Sequence, residues 1–186
     1  MSKIYYSLFL IFLVSLMPTA HVRNSDAVVF TTQPRPAWAR LISSNPAFSS
    51  KKITLEGRAS LTVTKANDDD TITGVFVFTV AEDARVKLAE VSETDLEEIP
   101  AKYSKENVTA RFQKGTTCPS LHLEITSPVD LDAAGTTMKL EHVMLDIPET
   151  PAKMAQYFCS WTRQINARRQ RLGIISAINH LINPEN

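Results

Sequence analysis

Four side chains able to hold a soft metal ion lie in two neighbouring segments. His122 lies in one; Met138, His142 and Met144 lie in the other. On a β-strand, residues at even positions share a face, and a preceding strand that pairs antiparallel brings His122 beside them. Thioether sulfur with imidazole nitrogen suits Cu(I), so these four residues are the candidate metal ligands. Against them stands an irregularity expected in the same strand, and the ordinary use of a half-buried Met or His as packing. The familiar zinc signature H-E-x-x-H is missing.

The two cysteines, Cys118 and Cys159, have a better use than metal binding. In an exported chain they pair, closing a loop of about forty residues and contributing on the order of 3 to 4 kcal/mol in the chain-entropy model. No serine or cysteine sits in a nucleophile elbow, and neither G-x-x-x-x-G-K nor G-x-G-x-x-G occurs. No catalytic residue is therefore assigned and no cofactor is expected. Asp130 and Asp132 with Glu141 offer carboxylates for glycoside chemistry, but sequence does not fix the separation that such a mechanism needs. Consecutive Asp68, Asp69 and Asp70 lack the alternate spacing and the glycine of a calcium loop and read as a solvated turn.

A helix over 151–182 is expected to position the rest. Met154, Tyr157, Phe158, Trp161, Ile165 and Leu172 recur at helical spacings, with Arg168 in the middle of the stripe. The later apolar group, Ile174, Ile175, Ile178, Leu181 and Ile182, is rotated from the first, and Gly173 marks the expected break. Trp161 and Arg168 are the candidate ligand-binding residues, an apolar wall with one charged contact between helix and sheet. Cys159 lies nearly opposite Trp161 on the wheel, so a disulfide would pin the helix from its outer side. The arginines at 163, 168, 169 and 171 suit either an anionic partner or purely structural contacts.

Ahead of the helix the chain reads as strands. Ile53 to Lys65 and Thr71 to Val80 alternate and form a hairpin. Further strands are expected at Arg85 to Val91, Asn107 to Gln113, Cys118 to Thr126 and Thr136 to Ile147. The last changes phase, which calls for a β-bulge near Glu141 or His142. Ser127 to Gly135 reads as loop, and Thr94 to Glu98 as one helical turn. Asn107-Val108-Thr109 is a glycosylation sequon.

Residues 1–27 have a lysine followed by an apolar core of roughly 14 residues, shorter than a membrane span of about 20, and read as a signal peptide. Residues 28–52 carry Pro34, Pro36 and Pro46 and read as an extended arm, in which Ala37 to Ile42 is expected to form one helical turn and Trp38 to anchor the arm on its own domain. Residues 53–183 form a single β-rich domain with the C-terminal helix.

The expected fold class is α+β, an antiparallel curved or partly closed sheet of five to six strands with the helix on one face; the alternative is a two-sheet sandwich capped by the helix. Twenty basic residues balance twenty acidic ones, which gives no reason to expect nucleic acid. The expectation is a secreted or periplasmic, non-enzymatic binding module, not membrane-spanning once mature. It would take a lipid or other apolar ligand, or hold a protein partner. The alternative is an exported copper-binding or hydrolytic protein using His122 and His142.

Overall fold

The computed structural model describes residues 27–43, 48, 52–113, 118, 121–149, 152–163 and 168–184, with side chains excepted at 168–170. Residues 1–26 of the segment expected to be a signal peptide (1–27) lie outside the described residues, as do Pro151, expected at the helix start, and Ile165 of the helix stripe.

The strands are β1 (Phe30–Thr31), β2 (Arg35–Ile42), β3 (Ile53–Ala66), β4 (Thr71–Val80), β5 (Lys102–Phe112), β6 (His122–Ile125), β7 (Val129–Ala133), β8 (Thr136–Leu140) and β9 (Met144–Asp146). The helices are α1 (Glu82–Ser92), α2 (Ala152–Arg163) and α3 (Arg168–Ile182), with a short 3-10 turn at Leu96–Glu98. Among the described residues all pairings are antiparallel, and the strands make one nine-stranded sheet in the order β7-β8-β2-β3-β4-β5-β6-β9, with β1 added on β3. The described residues form this one sheet and not a two-sheet sandwich.

The sheet curls because several strands are bent halves of one run. β6 and β7 form one such run and β8 and β9 another, paired from His122↔Asp146 to Ala133↔Thr136. Between β8 and β9, His142 takes φ 55°, and the buried side switches from Met138 and Leu140 to Val143 and Leu145. That is the expected bulge. β2 pairs with β8 from Ala39↔Leu140 onward, and Gln33 bridges Asp146 in the same register, six residues away in each run. The far edge of the sheet thus returns to its first strands.

Four expectations are corrected. The segment from Arg85 to Val91 is helical: Ala84, Leu88 and Val91 are buried at helical spacing while Val86 is exposed. The alternation of Val86 and Leu88 was too short to distinguish the two periods. Ala37 to Ile42 is strand, not a helical turn. The arm that carries it joins the sheet, with Ala37, Ala39 and Leu41 buried. Ser127 to Gly135 contains β7. The break expected at Gly173 is also corrected: Gly173 lies inside α3, which runs without interruption from Arg168 to Ile182.

The interior is filled. Leu55, Leu61, Ile72, Phe76, Phe78, Leu123 and Met138 are fully buried between the curled strands. α1 follows β4 and closes one end with Leu88 and Val91. α2 lies over the other end, where Phe158 and Trp161 meet Phe30 and Phe112 at ring-centroid distances of 5.0 to 5.9 Å. These tilted and edge-on contacts are favourable arrangements of aromatic quadrupoles. α3 is held beside β3 by Asn179, whose side chain accepts from the Ala66 N–H at 2.7 Å and donates to the Ala66 carbonyl at 2.9 Å.

Candidate functional site

Trp161, expected to wall a ligand pocket, has no exposed surface. Its Nε1–H donates to Asp70 Oδ1 at 3.2 Å, and Arg171 Nη1 donates to Asp70 Oδ2 at 2.8 Å. Asp70 sits in the β3–β4 turn with φ 67°, so the turn presents its carboxylate to both C-terminal helices. The triple-aspartate turn is thus a fastening point, not simply solvated. Its neighbour Asp69 is held below the usual carboxylate value, first by the Thr71 hydroxyl, which donates to it. The Arg168 backbone opens α3, while its side chain lies outside the described residues.

The four candidate metal ligands are divided. Met138 faces the interior and is fully buried, because it precedes the bulge. His142 and Met144 follow it, His142 exposed and Met144 half-buried. His122 is opposite Asp146, with its Nδ1 at 2.7 Å from Asp146 Oδ1, and Arg35 Nε lies 3.0 Å from the other carboxylate oxygen. No group of three or more His, Cys, Asp or Glu residues among the described residues could hold a metal ion. Asp130 and Asp132 are exposed on β7, and Glu141 is paired with Lys139 at 3.2 Å.

Cys118 and Cys159 form a disulfide, with Cα atoms 5.7 Å apart. It ties the segment before β6 to the side of α2 away from Trp161, as the wheel implies. Beside this link runs an open groove of about 490 Å³, with Leu121, Ile147, Ala152 and Ala155 providing apolar surface and Gln156 and Arg163 polar surface. Arg163 is exposed and makes no ion pair among the described residues. Sequence reasoning missed this groove. The available signal was a second helical stripe, Ala152, Ala155, Gln156, Cys159, Ser160 and Arg163, with small residues where the disulfide arrives.

A second opening, of about 410 Å³, lies where the pairing of β2 with the β8–β9 run is interrupted. Trp38, Arg35, His142 and Met144 are among its lining residues. Trp38, expected to be an anchor, is 59% exposed. It stands on an outward position opposite Glu56 of β3.

No helix among the described residues is long and apolar enough to cross a membrane. No family model, curated protein or solved structure matches the chain.

Proposed function

We propose that this protein is an exported, non-enzymatic binding module whose ligand is amphipathic and lies in the groove between α2 and the β6–β9 edge. The groove carries the reading: about 490 Å³ is within the usual range for small-molecule sites, roughly 300 to 1,000 Å³. Leu121, Ile147, Ala152 and Ala155 suit an acyl or other apolar body, and Arg163 suits an anionic or strongly polar head. The filled interior argues against a site inside the curled sheet, because a ligand there would have to displace close-packed aromatic and aliphatic side chains. The disulfide supports maturation in an oxidising space, secreted or periplasmic, and keeps one wall of the groove in place.

Native mass spectrometry of protein purified without detergent tests the proposal. One bound molecule of lipid-like mass per chain is expected, lost when Ala155→Trp fills the groove. Wild-type spectra that remain ligand-free, even after added laurate or lysophospholipid, contradict it.

A further inference from the structure

The opening beside Trp38 is built by two local departures from regular pairing. Gln33↔Asp146 and Ala39↔Leu140 keep one register on either side of it. Between them, Pro36 has no N–H to offer a partner strand, and His142 takes φ 55° at the bulge in the opposing run. The result is a slot of about 410 Å³ in the outer wall.

Its chemistry is selective. The two lining charges that would otherwise dominate are already engaged: Arg35 lies 3.0 Å from Asp146, and Glu141 lies 3.2 Å from Lys139. What remains is the His142 imidazole, the Met144 thioether and the Trp38 indole. Val143 between the two donors is buried, so His142 and Met144 both belong to the outer side of the strand. His142 makes no hydrogen bond or ion pair among the described residues. Imidazole and thioether are ligands for a soft cation, and an indole face attracts positive charge. With both cysteines in the disulfide, no thiolate competes.

We infer that this slot is a binding site for a soft monovalent metal ion of the Cu(I) type, with His142 and Met144 as ligands and Trp38 as the aromatic neighbour. The ligand set differs from the one read along the strand. Met138 is inside the core, and His122 is turned to Asp146. The site is separate from the groove at α2 and stands or falls independently of it.

Silver(I), which shares these ligand preferences without redox chemistry, is the probe. Oxidised protein titrated with Ag(I) is expected to retain one ion per chain by native mass spectrometry, with perturbed Trp38 emission. His142→Ala and Met144→Leu should each weaken binding by about tenfold or more. Met138→Leu should leave it unchanged, and Trp38→Phe should remove the optical signal. Unchanged circular dichroism in the two surface variants separates ligand loss from misfolding. Silver not retained at micromolar concentrations, or retained equally by the His142→Ala/Met144→Leu double variant, overturns the inference.

Discussion

Asp70 does more structural work than its place in a run of three aspartates suggests. One carboxylate oxygen accepts from Trp161 and the other from Arg171, whose side chain is only 15% exposed. Asp70→Asn tolerates the left-handed backbone but removes the charge facing Arg171. Loss of about 1 to 3 kcal/mol in urea unfolding is expected, because a largely buried guanidinium is left without its counter-ion. Tyr103 is a contrasting case. Its hydroxyl is buried without a hydrogen-bond partner among the described residues, and burial raises its pKa above the ordinary 10.0, with nearby Arg85 opposing the shift. A raised pKa in the folded state means that folding favours the neutral phenol. The associated stability is therefore present below pH of about 10 and is lost as pH rises through the folded value. Tyr103→Phe should remove that alkaline loss while changing stability at neutral pH by less than about 1 kcal/mol, as measured by thermal melts across pH.

At the scale of the elements, the disulfide and the β3–β4 hairpin make the clearest predictions. Replacing Cys118 and Cys159 by serine opens a link spanning 41 residues and should lower stability by about 4 kcal/mol, read from denaturant midpoints. Gly57 of β3 is a close-approach position: a Cβ there would run into the Thr79 carbonyl and the Phe78 ring. Gly57→Ala should therefore destabilise by about 1 to 3 kcal/mol through overpacking, in the same assay. These elements differed in how readily sequence disclosed them. β3 and β4 were legible because each is long and patterned at period two, and the phase change before Val143 correctly signalled a bulge. β2 was obscured by Pro34 and Pro36, although Ala37, Ala39 and Leu41 do alternate; small inward residues are a weak apolar signal. α1 was misread because Val86 and Leu88 mimic a strand, while Ala84, Leu88 and Val91 bury the helical face. The groove was not legible as a site, since its walls come from three separated segments and only the helical wheel of α2 hints at it. Trp161 was legible as apolar but not as inaccessible, because the aspartate that receives its N–H is distant in sequence.

For the whole molecule, the decisive arrangement is a curled sheet whose middle is packed and whose ends are covered by helices. Such an interior has side chains where a small barrel with a ligand cavity has open space. The binding proposed above is therefore assigned to the outer surface, where the disulfide groove combines an apolar floor with Arg163. Amide chemical-shift mapping during titration with laurate reads this directly. Saturable shifts concentrated at Leu121, Ile147, Ala155, Gln156 and Arg163 are expected, with Phe76 and Leu61 in the interior unmoved. Absence of saturable shifts, or shifts spread through the interior residues instead, would contradict this assignment.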